Sequence, residues 1–131
     1  MSEDLESPMS VIITTFGVLH APEPAAASPV RVDLTTALRN PADDPAMIEM
    51  TGLDARVRDH VMTTPGADVI RDQALADIEE ALDDGDVQVL VYCRGGRHRS
   101  VAIGEELHDA LSARGVDVRV VHRDVEKAVV R

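Results

Sequence analysis

The chain has 131 residues, 44% of them hydrophobic but only 2% aromatic, with a formal net charge of −11 and one cysteine. That length suits a single domain, and its core must be built from Val, Leu, Ile, Ala and Met. One cysteine excludes an intrachain disulfide, the acidic start Met1-Ser2-Glu3-Asp4-Leu5-Glu6 argues against a secretory signal, and the apolar run Val87 to Tyr92 is far too short to span a bilayer.

Taken in chain order, residues 1–10 read as a flexible acidic start and Val11 to Thr15 as a first strand that Phe16-Gly17 ends. A Pro/Ala/Ser stretch from Ala21 to Pro29 reads as a surface loop, and Val30 to Leu34 as a second strand. Asn40-Pro41 and Asp44-Pro45 mark turns, because proline disfavours helix at the residue before it. Thr51-Gly52-Leu53-Asp54 leads into a short helix carrying Val57 and Val61, which Pro65-Gly66 breaks. Asp68 is the expected N-cap of a second helix whose apolar face is Leu75, Ile78, Ala81 and Leu82. Val87 to Tyr92 has the look of a buried strand. A helix from about Arg99 to Ala113 follows, with Ile103, Leu107 and Leu111 four apart, and Arg114-Gly115 stops it. Val116 to Val120 alternates as a strand, and the tail from Glu126 to Arg131 is expected to add a helical turn. The fold class is therefore α/β: one domain with a mainly parallel sheet and flanking helices. In such a sheet ligands bind beyond the carboxyl ends of the strands.

The segment Cys93-Arg94-Gly95-Gly96-Arg97-His98-Arg99-Ser100 stands at such an end, between a buried strand and a helix. The first N–H groups of a helix lack internal partners and carry partial positive charge. Gly95 and Gly96 allow the backbone to turn its N–H groups inward around an anion. Arg99 offers a bidentate contact to a phosphate or carboxylate, and Ser100 a hydroxyl to the anion or to the cysteine sulfur. Arg94, Arg97 and Arg99 concentrate positive charge in a chain of −11. Together these features predict a strand-loop-helix anion site. His98 is read either as a ligand contact or as a group that caps the helix start. His122 is read as bordering the same crevice or as a surface residue. His20, His60 and His108 have no metal-ligand spacing, so neither a metal nor a cofactor is expected.

Cys93, Gly96, Arg99 and Ser100 also fit Cys-x-x-Gly-x-x-Arg-Ser, which is similar to the signature of cysteine-based protein phosphatases. That resemblance implies Cys93 as nucleophile and Arg99 as clamp, with a general acid among Asp33, Asp43, Asp44 and Asp68. A helix N-terminus with nearby arginines is the setting in which a cysteine reacts. The bland alternative is a small buried residue that closes the strand.

A second resemblance covers more of the chain. Cys93 with Gly95-Gly96-Arg97-His98-Arg99-Ser100-Val101 resembles the Cys-Thr-Gly-Gly-x-His-Arg-Ser-Val loop in the C-terminal domain of the RNase adapter family RapZ. Phe16-Gly17, Asp33, Asn40-Pro41, Asp44-Pro45 and Met50-Thr51-Gly52-Leu53-Asp54 follow that domain's elements in order, as do Arg114-Gly115 and His122-Arg123-Asp124-Val125-Glu126-Lys127. Family members carry an N-terminal nucleotide-binding domain that has no counterpart here, so the chain resembles that C-terminal domain standing alone. The resemblance implies an α/β module that senses an amino-sugar phosphate and contacts small RNA. By position its pocket would use Cys93, Gly95, Gly96, His98, Arg99 and Ser100, with Asp33 from the second strand. The departures are Arg94 for the family's threonine, Ala42 for its histidine after Asn-Pro, no clean match to its arginine after Asp-Val near Asp33-Leu34-Thr35, and an apolar tail, Ala128-Val129-Val130, in place of a basic one.

The resulting expectation is a cytoplasmic, non-catalytic binding or sensor domain for a phosphorylated metabolite such as a sugar phosphate. Its ligand residues would be Asp33, Cys93, Arg94, Gly95, Gly96, Arg97, His98, Arg99 and Ser100. A cysteine-based phosphatase is the alternative and an RNA-binding adapter the third reading. The net charge disfavours RNA. A protein partner that receives the signal is compatible with this reading, homo-oligomer formation is left open, and no membrane is involved.

Overall fold

The computed structural model describes residues 9–38 and 44–129. The acidic start at residues 1–8, the turn at Asn40-Pro41, Asp43 and the last two residues of the tail lie outside these. The elements are β1 (Ser10–Gly17), β2 (Val30–Asp33), α1 (Ala55–Met62), α2 (Ala67–Leu82), β3 (Val87–Cys93), α3 (Arg99–Ala113) and β4 (Asp117–His122). The strands form one parallel sheet in the order β2-β3-β1-β4. This is a small α/β domain, as the alternation of strand and helix patterns predicts.

Side chains alternate across a strand. Val11 and Ile13 of β1 and Val87, Val89 and Val91 of β3 therefore share one face, and all five are buried. Helices α2 and α3 touch each other as well as the sheet, which places them on that face together. Ile78, Ile103, Leu107 and Leu111 fill the layer between helix and sheet. Helix α1 packs on α3 through the outer side of the layer, with Val57 and Val61 fully buried. On the opposite face Phe16 and Tyr92 stack with ring centroids 5.1 Å apart. Leu90 is buried there too, so β3 is apolar on both sides and reads as an unbroken run. No helix among the described residues is long and apolar enough to cross a membrane.

Several boundaries differ from the sequence reading: β1 runs on through Phe16-Gly17, β2 stops at Asp33 and β3 reaches Cys93. Helix α2 begins at Ala67 behind Gly66, whose φ of 91° only glycine adopts cheaply. Asp68 is therefore inside the first turn and not the cap; its Oδ1 accepts the Val69 N–H at 2.9 Å. Val116 is not in the last strand, because its N–H donates to Leu111 O and closes α3; pairing with β1 runs from Asp117 to His122. The expected helical turn from Glu126 is replaced by a turn in which Lys127 N–H donates to Asp124 O at 3.1 Å.

The register sets the site. Gly17 stands opposite Cys93, Asp33 opposite Tyr92, and Thr15 opposite His122. The carboxyl ends of all four strands thus lie in one line. The chain leaves β1 for one edge of the sheet and leaves β3 for the other, the arrangement at which such sheets bind ligands.

Candidate functional site

Two glycine loops meet at the ends of β1 and β3. Pairing continues past the strands: Val18 N–H donates to Cys93 O at 3.0 Å and Leu19 N–H to Arg94 O at 3.1 Å. A Cβ on Gly17 would lie 2.2 Å from the Gly95 carbonyl carbon, and one on Gly96 would lie 2.4 Å from the Gly17 nitrogen. The two backbones are therefore in direct contact, and neither position accepts a side chain. Gly96 also holds φ at 73°. A Cβ on Gly95 would meet nothing within 4 Å, so this residue borders open space.

Cys93 is buried beneath the loop. Its sulfur accepts the Gly96 N–H at 3.2 Å, and the thiol donates to Ser100 Oγ at 3.2 Å. Helix α3 starts immediately beyond. His98 occupies its N-cap position without a side-chain capping bond, while Arg99, Ser100 and Val101 of the first turn are all buried. Amides at a helix start without a side-chain cap are what an anion binds.

The side chains repeat this deficit. Among the described residues, three buried side-chain nitrogens have no hydrogen-bond partner: His20 Nε2, His98 Nε2 and Arg99 Nε. His20 and His98 belong to the loops that leave β1 and β3, and Arg99 opens α3. Arg99 is 4% exposed, and its Nη1 donates to the carbonyls of Leu34 at 2.8 Å and Ala37 at 3.2 Å. It thus ties the segment after β2 to the start of α3. Leu38, next in that segment, holds a φ of 68°, which costs a side-chain-bearing residue about 1 kcal/mol. Burial, and then the Arg97 charge, push the His98 imidazole below its ordinary range, against the pull of carbonyls at Ile48, Met50 and Met47. His98 is accordingly neutral at pH 7.

The remaining candidates are placed differently. Arg97 Nε donates to Met50 O at 2.9 Å, Nη1 to Lys127 O at 3.1 Å, and Nη2 to Glu49 O. It staples the loop to two neighbouring segments. Arg94 is exposed. Asp33 ends β2 beside Tyr92, on the sheet face opposite Cys93, and its Oδ1 accepts Thr35 N–H at 2.9 Å and Thr35 Oγ1–H at 2.6 Å. It also lines a groove of about 330 Å3 between β2 and α2, with Arg31, Ile70, Gln73 and Asp77. His122 lies between β4 and α3, with Nδ1 2.7 Å from Thr15 Oγ1 and Nε2 2.7 Å from Glu105 Oε2. Both ring nitrogens are engaged there.

Sequence reasoning gave no role to four residues that shape the site. Gly17 is one. Gly52 is another: its N–H donates to Arg97 O at 2.9 Å, and a Cβ there would come within 2.5 Å of His98 O. Arg123 and Asp124 are the others; Asp124 Oδ2 accepts the Gly17 N–H at 2.8 Å. The available signal was the segments Phe16-Gly17 and Thr51-Gly52, read only as a strand end, a turn and parts of a family resemblance, and Arg123-Asp124, noticed only through that resemblance.

The arrangement can hold an oxyanion by loop amides, the start of α3 and unpartnered N–H groups. Comparison with known proteins bears on it. The sequence profile of the RapZ C-terminal domain matches residues 9–126. A nucleotide-binding protein of Corynebacterium jeikeium is 36% identical over 92% of this chain and 43% of its own length. One of Thermus thermophilus is 43% identical over 88% of this chain and 42% of its own. One of Streptomyces coelicolor is 34% identical over 93% of this chain and 42% of its own. The chain spans less than half the length of these curated relatives.

Proposed function

The chain belongs to the RapZ C-terminal domain family, and on that footing we propose that it is a non-catalytic cytoplasmic domain that binds a phosphorylated metabolite and reports its presence. The observation that carries this reading is the buried, uncapped start of α3 next to Gly95-Gly96, where His98 Nε2 and Arg99 Nε also lack partners. Buried donors without acceptors cost about 1–3 kcal/mol each, and a bound phosphate relieves several at once. Its oxygens would take the first amides of α3, the Ser100 hydroxyl and Arg99. Asp33, at the end of the neighbouring strand, has the acceptor chemistry for the hydroxyl or amino groups of a sugar. The relatives are named nucleotide-binding proteins, so a nucleotide belongs among the compounds tried.

Thermal unfolding against inorganic phosphate, amino-sugar phosphates, nucleotide sugars and nucleotides tests the reading. A ligand at 100 times its Kd adds about 2.7 kcal/mol of stability. An amino-sugar phosphate should raise Tm more than inorganic phosphate does. Arg99→Lys, which keeps the charge but removes the planar fork, should abolish most of that gain. If no phosphorylated compound raises Tm, the reading fails.

One observation favours hydrolysis as a second reading: the Cys93 sulfur accepts the Gly96 N–H while its thiol donates to Ser100 Oγ. Turnover of an aryl phosphate that disappears in Cys93→Ser would support it.

A further inference from the structure

The segment after β4 touches both glycine loops, and its centre is a carboxylate. Asp124 is 0% exposed. Its Oδ2 accepts the Gly17 N–H at 2.8 Å and Arg123 Nη2–H at 2.7 Å, and its Oδ1 meets Lys127 Nζ at 2.6 Å. The register explains why it is there. Pairing between β1 and β4 ends at Thr15 and His122, and Arg123 N–H donates to Thr15 O at 2.9 Å. The next β1 amide facing β4 is that of Gly17, and no β4 backbone carbonyl continues the ladder to receive it. The Asp124 side chain takes the place of that carbonyl.

Two further arms spread from this point. Arg123 donates to the carbonyls of Gly17, Ala21 and Pro22 and lies 4.9 Å from the centre of the Phe16 ring. The Lys127 carbonyl accepts Arg97 Nη1–H from the other loop. A single turn, Arg123 to Lys127, therefore grips the β1 loop through Asp124 and the β3 loop through Arg97. Between the two grips Gly17 presses on Gly95 and Gly96 with no room for one methyl group. A displacement of Gly17 is transmitted directly to the anion loop.

We infer that Asp124 is a positioning residue that holds the Gly95-Gly96 loop in its binding geometry by fixing Gly17. The affinity part of this inference rests on the phosphate-binding reading; the positioning part does not. The charges give the inference a distinctive sign. Arg123, Lys127 and Asp124 together carry +1, from two cations and one anion. Asp124→Asn raises this to +2. A purely electrostatic role predicts that inorganic phosphate then binds more tightly, whereas a positioning role predicts weaker binding.

The experiment is an NMR titration of the chain with inorganic phosphate, following backbone amides, for the unaltered protein, Asp124→Asn and Asp124→Glu. Asp124→Glu keeps the charge and moves the carboxylate by one methylene. Both variants should bind phosphate roughly tenfold more weakly, the scale on which supporting partners act on binding groups. In both, the ligand-free amides of Gly95 and Gly96 should shift while that of Ile78 stays in place. Equal or tighter binding with unmoved Gly95 and Gly96 amides would overturn the inference. Should neither variant fold, the unaltered protein decides: the Gly17 amide must respond to phosphate together with Gly95 and Gly96, and a silent Gly17 refutes the coupling. If the unaltered protein does not bind phosphate at all, the ligand reading fails, and the ligand-free amide shifts in the variants judge the positioning role by themselves.

Discussion

Neighbouring glycines in the loop after β3 have different physical reasons to be glycine. Gly96 needs a left-handed φ and lies against the Gly17 backbone; Gly95 needs neither. Gly96→Ala should destabilise the chain by about 2 kcal/mol or more, from the left-handed penalty and the overlap together. Gly95→Ala should change stability by less than about 0.5 kcal/mol, yet weaken phosphate binding by putting a methyl group where the anion would lie. Urea denaturation of the two variants separates these outcomes, and equal losses would show that the loop's geometry is not as described. The arginines divide in the same way. Arg97 and Arg99 look equivalent in sequence, but the first gives its N–H groups to three carbonyls, while the second keeps Nε unpartnered. The difference arises from what each side chain meets: the carbonyls of Glu49, Met50 and Lys127 for Arg97, and those of Leu34 and Ala37 for Arg99.

At the scale of elements, α3 was legible at both ends. Its apolar residues recur every four positions, and Gly115 follows with a φ of 81°. The start of α2 was misread because an acidic residue in a first turn resembles a cap, and only the backbone of Gly66 shows where the helix begins. The docking of the 47–50 turn on the start of α3 has a pH signature. His98 sits there with its folded pKa below the ordinary 6.5, so the unfolded chain binds its proton first as pH falls. The contribution is complete above about pH 6.5 and is lost as pH falls from there through the folded value. Urea midpoints measured between pH 7.5 and 5 should decline, and His98→Gln should remove most of that decline. Asp124 adds a separate window. Burial opposes its charge, but Arg123, the Gly17 N–H and Lys127 outweigh that and hold its carboxyl far below the usual range. Its stabilisation is present above the ordinary 3.8 and is lost only at lower pH.

The whole molecule carries −11, and the cluster Arg94, Arg97 and Arg99 is a local exception to that field. Long-range repulsion should keep structured RNA from binding at physiological salt. A gel shift checks this, and a complex that survives 150 mM salt would show that local basic residues prevail over the net charge. A small phosphorylated ligand meets mainly the short-range donors of the loop, so the same field opposes it less. The described helices lie on one face of the sheet, and the Phe16–Tyr92 stack and Arg123 occupy the other near the site. The glycine loops are therefore fixed from the open face by the segment after β4 and from the helical face by Ser100 and Arg99.

By itself the sequence determined the strand and helix order and the parallel α/β class, and it singled out the strand-to-helix loop at residues 93–100. Those follow from local periodicity and from the chemistry of eight adjacent residues, 93–100. Only the tertiary structure decided which loop residues remain unpartnered, that Gly17 and Gly52 are glycine because backbones touch there, and that Asp124 completes the β1 ladder. These are contacts between segments up to 107 residues apart. A partner so distant leaves no periodic or spacing signal in the chain, because it is the parallel register, not proximity in sequence, that brings the two together.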